Sequence, residues 1–256
     1  ELCVIAEELG RSLAPVPFSS SVYLFTEAII KFADEQIKSE ILPKLISGEC
    51  VGTLAITEQL FAPTENNIKV SVDNNQITGT KIAVPDASVA THVLVICKSE
   101  LGSDLRLVDL TNNNCEVHDQ DTIDNSRGHS LIEFNNANSQ LVGDAGGGWA
   151  LLQNILNQAA VLFSFEQIGG AQATLDMASE YAKQRFAFGR AIGSYQAIKH
   201  KLADMYIGLT LAKSNTYYAA WALLNDSTEL EVAAATARVS STEAFQFCSK
   251  ENIQTH

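Results

Sequence analysis

The spacing of apolar residues changes twice along the chain, and this change constrains the fold more than any other feature. Up to about Ile46 apolar residues recur at helical spacing, interrupted at "GRSLAPVPF". From Val51 short β-branched runs alternate with Asn, Gly and Pro punctuation as far as "HSLIEFNNA". After "GDAGGGW" the helical spacing returns and predicts helices near 149–184, 194–225 and 228–252. The order is therefore helical, then β, then helical.

These segments predict an α+β multi-domain protein. We place an N-terminal helical domain at 1–52, a central β domain at 53–140 and a C-terminal helical domain at 141–256. The "NDS" run at 225–227 is expected to separate the last two helices and to supply their N-cap chemistry. Because the chain opens on Glu1 within an amphipathic pattern and closes within a helical one, we expect a piece of a longer protein.

Composition excludes several classes of partner. A formal net charge of −13 repels nucleic acid and anionic membrane surfaces. The sequence has no apolar run long enough to cross a bilayer and no basic leader, so we expect a cytoplasmic protein without membrane insertion. The five cysteines have neither CxxC spacing nor a suitably spaced His, which predicts reduced thiols and no metal site.

In this acidic chain, cations gather at "QRFAFGR". Lys183, Arg185 and Arg190 surround a predicted helix stop at Phe188–Gly189. They could complement the dipole at the helix C-terminus. Alternatively, a guanidinium could grip a phosphate while Phe188 lies against a flat ring.

A resemblance to a known family favours phosphate binding by these cations over a role at the helix end. The run "YAKQRFAFGRAIGSYQAIKHKLADM" resembles the signature of the acyl-CoA dehydrogenase family, in which Arg-x-x-Phe-Gly precedes a Gln that opens the next long helix. "EELGRSLAPVPF", "ILPKLISGECVGTLAITE" and "ENIQTH" resemble further family segments in the same order. The resemblance implies N-terminal helices, a central β-barrel domain and a C-terminal domain of four-helix-bundle type.

The resemblance also implies an FAD between the β domain and the C-terminal helices, held partly by the neighbouring subunit. Arg185 matches the arginine on the pyrophosphate of the adjacent subunit's FAD, and Phe188 matches the aromatic that packs against that cofactor. Tyr195 and Gln196 match the pair that touches FAD at the next helix start. Gln254 matches the glutamine of the flavin loop.

A second group of matches lies in the β segment. Leu54, Ile56 and Thr57 match the strand that faces the isoalloxazine ring, where backbone and hydroxyl donors can bond its polar edge.

The family's catalytic base is not found at its first usual position. The match places that position at Ala159 or Ala160, and neither can accept a proton; the second position lies beyond His256. Glu166 is the nearest carboxylate on the same helix, and packing explains it better than catalysis. The catalytic base is therefore unknown.

The substrate side also departs from the family. The Thr-Glu-Pro-x-x-Gly-Ser-Asp turn is replaced by "TEQLFAPTENN", while Ala83 and Pro85 stand where the family has Trp and Thr. Loss of an aromatic leaves room. Either the pocket admits a bulky acyl group, such as a sterol side chain or ring fragment, or the site is degenerate and works beside a competent partner.

The expected activity is FAD-dependent oxidation of an acyl-CoA thioester to the 2-enoyl-CoA, with electrons passed to an electron-transfer flavoprotein, in a homo- or hetero-oligomer (dimer or tetramer). One alternative is a non-catalytic subunit that completes a partner's FAD site. The other is a cofactor-free helical interaction scaffold.

Overall fold

The structure, a computed structural model, describes residues 1–111, 114–124 and 126–256. The chain forms two compact units. One unit comprises Pro15–Leu156, and the other combines Glu1–Ala14 with Asn157–His256. The first helix is thus grouped with the C-terminal helices, and the three-domain division by sequence stays a prediction.

The unit that ends at His256 is helical. It contains α1 (Leu2–Ser12), most of α4 (Gly148–Gln184), α5 (Gln196–Leu224) and α6 (Leu230–Thr255). The three long helices that the periodicity predicts are therefore confirmed. Small side chains let α5 and α6 approach closely, since the buried residues of the two helices include Ala212, Ala219, Ala222, Ala233, Ala234, Ala237 and Ala244.

The break between α5 and α6 is confirmed, but its capping differs from the prediction. Residue Glu229, not the "NDS" run, precedes the first turn of α6, and its side chain makes no cap hydrogen bond. The Ser227 hydroxyl instead accepts a hydrogen bond from the Glu229 backbone N–H at 3.2 Å, within the connecting turn. These polar residues interrupt the helices by turn formation rather than by capping.

Glycines bring α1 and α4 into backbone contact. A Cβ added to Gly10 would lie 1.8 Å from the Glu166 carbonyl oxygen, and one added to Gly169 would lie 1.9 Å from the Glu7 carbonyl oxygen. No side chain fits at either position, so both glycines are required by this packing.

The other unit is built around one mixed sheet of eight strands. The strands are β1 (Gly52–Ala55), β2 (Ser71–Asp73), β3 (Gln76–Pro85), β4 (His92–Ser99), β5 (Gly102–Asp109), β6 (Cys115–Gln120), β7 (His129–Asn138) and β8 (Gln140–Val142). Their order is β6-β7-β3-β2-β4-β5-β8, with β1 parallel to β4. A π-helical segment (Ser19–Thr26), α2 (Glu27–Phe32) and α3 (Glu35–Ser47) precede the sheet.

Alternation along the strands creates the core of this unit. In β3 and β7 buried and more exposed side chains alternate, with the alternation shifted at irregularities in the β3–β7 pairing, while β4 is buried over six consecutive residues. The resulting cluster contains Ala55, Val70, Ile77, Val84, Ala87, Val93, Val95, Cys97, Val108, Ile132, Phe134 and Ala137.

All five thiols are free, and burial raises the pKa of the Cys97 thiol to about 12. Within the described part of the chain, no helix combines the length and apolar character that a bilayer crossing requires.

Candidate functional site

The cationic segment forms a small hairpin rather than a helix end. Helix α4 ends at Gln184, in agreement with the predicted helix at 149–184, but the stop predicted at Phe188–Gly189 is instead a hairpin turn. Strand β9 (Phe186–Ala187) pairs with the antiparallel β10 (Arg190–Ala191). The two turn residues have φ values of 50° and 80°, the left-handed pair typical of a tight two-residue hairpin turn.

Phe188 occupies a doubly unfavourable position in this hairpin. Its side chain is 97% exposed, and its positive φ costs a non-glycine residue about 1–2 kcal/mol. A bulky residue in this conformation is uncommon, and such strain is concentrated at functional sites. Exposure and backbone strain together make Phe188 a candidate ligand contact.

Arg185 and Arg190 lie on this hairpin as exposed cations. The Arg185 carbonyl accepts a hydrogen bond from the Ile192 backbone N–H at 2.8 Å, which extends the hairpin by one step. The Arg190 guanidinium lies over the ring of Tyr195, with its carbon 4.0 Å from the ring centroid. Among the residues that the structure describes, neither arginine has a carboxylate partner, whereas the nearby Lys183 is 3.5 Å from Glu180.

Tyr195 and Gln196 lie at the start of α5, as the signature predicts. The half-buried Tyr195 donates its hydroxyl proton to the Ala187 carbonyl at 2.9 Å and so joins the hairpin to the helix. Gln196 is the first residue of α5, and its side chain is exposed. Tyr195 therefore contacts both Arg190 and the hairpin, and Gln196 follows it in the chain.

Gln254 lies at the same end of the helical unit. It is exposed in the last turn of α6, two residues before His256. The His256 ring stacks on Tyr181 with centroids 4.2 Å apart, and the Arg185 backbone N–H donates to the Tyr181 carbonyl at 2.9 Å. The structure thus brings Gln254 towards the segment that carries Arg185.

The remaining predicted residues belong to the β unit. Leu54 is 2% exposed and lies opposite Leu94 of β4, so its side chain belongs to the core. Ile56 and Thr57 follow β1 and are half-buried. The Thr57 carbonyl accepts from the Ile82 backbone N–H at 2.8 Å, which leaves the Thr57 N–H and hydroxyl as the groups it can offer a ligand.

A buried ion pair that sequence reasoning missed holds the segment after β1. Lys81 is fully buried, and its ammonium donates to the Glu58 carboxylate at 2.7 Å and to the Ile56 carbonyl at 2.9 Å. Glu58 also accepts the backbone N–H groups of Lys69 and Val70. Burial lowers the pKa of Lys81, and the Glu58 carboxylate opposes this by favouring the charged form.

The residues that the resemblance aligns with a flavin cover are small or exposed. Ala83 is exposed at a β-bulge of β3 with φ of 51°, and its backbone N–H donates to the Gln120 side chain at 2.8 Å. In the loop after Glu58, the side chains of Leu60 and Phe61 are 100% and 60% exposed. The loop therefore presents apolar surface.

No base is found at the positions that the sequence singles out. Ala159 is 1% exposed on α4 and has no titratable group. Burial lowers the pKa of the half-buried Arg238, and the charge of Glu166, which is also half-buried, opposes this shift. Glu166 thus interacts electrostatically with a guanidinium of the helical unit, and its structural role stays a prediction.

One group of side chains has metal-ligating atoms close together. Glu116, His118 and Glu133 offer ligand atoms within 4.8 Å of one another on β6 and β7. Glu116 and His118 are exposed, and Glu133 is half-buried. Because exposed acidic groups are common without a metal, we assign no metal site to them.

A helical unit and a mixed β unit, with an exposed arginine-bearing hairpin before the second long helix, define an α+β protein with a candidate anion site. Residues 1–49 match the family model described as "Acyl-CoA dehydrogenase, N-terminal domain". Residues 146–256 match the family model described as "Acyl-CoA dehydrogenase, C-terminal domain". Together the two matches cover well over half the chain. The chain belongs to the acyl-CoA dehydrogenase family.

Individual relatives agree with this assignment. The chain is 27% identical over 231 residues to a mitochondrial 2-methylacyl-CoA dehydrogenase of Solanum tuberosum, covering 84% of this chain and 56% of that protein. It is 41% identical over 102 residues to acyl-CoA dehydrogenase IpdE2 of Mycobacterium tuberculosis, covering 40% and 30%. The solved "Tcur3481-Tcur3483 steroid ACAD G363A variant" is 26% identical with a TM-score of 0.86, covering 100% of this chain and 69% of that one.

The predicted fold class is therefore confirmed. The chain spans little more than half the length of the Solanum relative, at 56%, and 30% of the mycobacterial one.

Proposed function

We propose that the protein containing this chain is an FAD-dependent acyl-CoA dehydrogenase that converts an acyl-CoA thioester to the 2-enoyl-CoA. The observation that carries the proposal is the hairpin, where two exposed arginines and the strained, exposed Phe188 stand together in a chain of net charge −13. An anionic cofactor with a flat ring accounts for all three side chains.

The helical residues would hold the cofactor by its charged and planar parts. The Arg185 guanidinium suits the FAD pyrophosphate because its fork of N–H donors matches phosphate oxygens. Phe188 offers a ring face, and Gln196 and Gln254 offer amide donors and acceptors. The N-terminus of α5, which begins at Gln196, adds a partial positive charge beside them.

These side chains are exposed, and this supports a cofactor that belongs to a neighbouring subunit. Exposure of Arg185 and Phe188 leaves them available to a second copy or to a related partner chain. The proposed assembly is a homo- or hetero-oligomer, either a dimer or a tetramer, in which each hairpin completes an FAD site of the adjacent subunit.

Ile56 and Thr57 of the β unit are the residues proposed to face a flavin ring. Ile56 and Thr57 are held by Lys81 and by the Ile82 N–H, so their backbone is fixed before any ligand arrives. The Thr57 N–H and hydroxyl can then bond the polar edge of the ring, and Leu54 supports this segment from the core. When bound, FAD supplies the hydride acceptor for oxidation at the acyl β-carbon.

A bulky acyl group is the proposed substrate class, and an electron-transfer flavoprotein the proposed electron acceptor. Ala83 leaves room where the family carries a tryptophan, and the exposed Leu60 and Phe61 offer apolar contact. Similarity to a solved steroid ACAD supports ring-containing acyl groups.

The first experiment measures FAD affinity of the full-length protein with and without Arg185. Removing a charge-assisted contact to a phosphate costs about 1.5–3 kcal/mol, so Arg185→Gln should raise the FAD Kd by about 10- to 100-fold. Lys183→Gln is the matched control, because it removes a cation two residues away that is already paired with Glu180. Equal Kd values for Arg185→Gln, Lys183→Gln and the unmodified protein would refute the cofactor site.

A second candidate is a non-catalytic subunit that lends its hairpin to the flavin of a different partner. The observation that favours it is Ala159, a buried side chain without a proton acceptor at the family's first base position. The two candidates are distinguished by mixing the protein with a co-encoded homologue. Flavin retention by the mixture alone would identify the supporting role, and thioester oxidation by the separate protein would identify the enzyme.

A further inference from the structure

We propose that Arg190, positioned by Tyr195, is a second contact for the diphosphate of the cofactor, beside Arg185. This inference rests on the proposed function and adds a residue to its anion site. It also assigns Tyr195 a positioning role rather than the direct cofactor contact that the resemblance implies.

The register of the hairpin places the two arginines on one face. Arg190 pairs with Ala187, and partners across an antiparallel pair point to the same side. Arg185 lies two residues before Ala187, and alternate residues of a strand also point to the same side. The diagonal spacing of such residues is about 7–8 Å, which suits two guanidinium groups on two linked phosphates.

Tyr195 holds the Arg190 side chain without occupying its donors. The guanidinium carbon lies over the ring, 4.0 Å from its centroid, and a contact through the ring face leaves N–H groups available to an anion. The Tyr195 hydroxyl bonds the Ala187 carbonyl at 2.9 Å, so the ring is fixed to the residue opposite Arg190. Both arginine and ring are therefore ordered before a ligand binds, which lowers the entropic cost of binding.

The charge balance of the hairpin also points to an anion. Within the described part of the chain, Arg185 and Arg190 form no ion pair, although the protein carries 30 acidic against 17 basic residues. Lys183, in contrast, lies 3.5 Å from Glu180 on its own helix. Two unneutralised arginines on one face of a short hairpin match the charge of a diphosphate.

The test titrates the full-length protein with FAD, with ADP as a diphosphate probe that lacks the flavin, and with riboflavin as a probe that lacks phosphate. Arg190→Gln should raise the Kd of FAD and of ADP about tenfold and leave the Kd of riboflavin unchanged. Arg190→Lys keeps the charge but loses the planar stack, and it should give an intermediate increase.

Variants of Tyr195 separate positioning from direct contact. Tyr195→Phe keeps the ring under Arg190 and loses only the hydroxyl bond to Ala187, so it should change the FAD Kd by less than about threefold. Tyr195→Leu removes the ring and should approach the effect of Arg190→Gln. In the Arg190→Gln background, Tyr195→Leu should then have little further effect, because the ring acts through the guanidinium.

The outcomes distinguish this inference from the proposed function. Weakened FAD and ADP binding by Arg190→Gln, with riboflavin binding and Tm unchanged, supports the second contact. If Arg185→Gln weakens FAD while Arg190→Gln and Arg190→Lys bind it like the unmodified protein, the inference is overturned and the proposed function stands. If Arg185→Gln also binds FAD normally, the cofactor site and this inference both fall.

Discussion

Removal of the Lys81 ammonium should destabilise the β unit strongly. Lys81 is fully buried, and only 8% of the Glu58 side chain is exposed, so Lys81→Met leaves a carboxylate without its counter-charge in the interior. It also removes the hydrogen bond to the Ile56 carbonyl. Losing one partner of a buried ion pair costs about 3–5 kcal/mol in the free energy of unfolding.

A second substitution tests whether the stranded charge is the cause. In Lys81→Met/Glu58→Gln the uncompensated charge is gone, while an amide oxygen remains to accept the Lys69 or Val70 N–H. The double variant should be more stable than Lys81→Met by at least about 1 kcal/mol, which a double-mutant cycle measures. Urea unfolding of the apoprotein, followed by circular dichroism, provides the free energies.

An exposed pair of the same unit is the matched control. Lys44 and Glu40 lie 3.2 Å apart with side chains 40% and 50% exposed, so Lys44→Met should change stability by less than about 1 kcal/mol. Two results would refute the reasoning. One is a loss below about 1 kcal/mol for Lys81→Met, and the other is a double variant no more stable than the single one.

Three further expectations follow from particular residues. Gly169→Ala should lower the free energy of unfolding by at least about 1–3 kcal/mol, because the new Cβ separates α1 from α4. Gly208→Ala should stabilise α5 by about 0.5–1 kcal/mol, since nothing lies within 4 Å of the new Cβ. Thermal unfolding of the two variants measures the difference. Burial lowers the pKa of His92 from 6.5, so below that pH the unfolded chain binds a proton that the folded chain does not. The free energy of unfolding should therefore fall as the pH drops below 6.5 and through the folded-state pKa of His92. The fall should be less steep in His92→Gln. Equal pH slopes of the free energy for the two proteins, measured by urea unfolding, would contradict this. Phe188→Asn should match or exceed the unmodified stability, because Asn tolerates the left-handed conformation, yet weaken FAD binding; an unchanged FAD Kd would remove Phe188 from the site.

The long helices were predictable because their apolar spacing extends over many residues. Helices α4, α5 and α6 each contain at least 26 residues, and an apolar spacing of that length is recognisable even where single residues depart from it. The strands were predictable as a group from their β-branched runs and turn residues. Their order in the sheet was not, because β1 pairs with β4 and β3 pairs with β7 over long sequence separations.

The hairpin shows what local patterns miss. Strands β9 and β10 contain two residues each, which is too short for any period to appear. Phe188 adopts a positive φ that its residue type disfavours, so the sequence gives no sign of a two-residue turn at Phe188–Gly189. The glycine alone indicates a helix stop. The register that sets Arg185 and Arg190 on one face becomes visible only with the turn.

The Lys81–Glu58 pair was missed for a different reason. The two residues are 23 positions apart, and neither differs in sequence from an exposed charged residue. Only the fold shows that both are buried. Family motifs identified the surrounding "TEQLF" and "KIAVP" runs, but the contact between them depends on the packing of β3 against the segment after β1.

The most direct test of the account is an anaerobic visible spectrum of the full-length protein, alone and with a co-encoded homologue, before and after addition of acyl-CoA esters. The esters should include short, long and steroid-derived acyl groups. We expect a flavin spectrum that bleaches on addition of a bulky, ring-containing ester and is unchanged by the corresponding free acid. A protein that shows no flavin absorbance in either preparation, or a flavin that no ester reduces, would contradict the assignment as an acyl-CoA dehydrogenase.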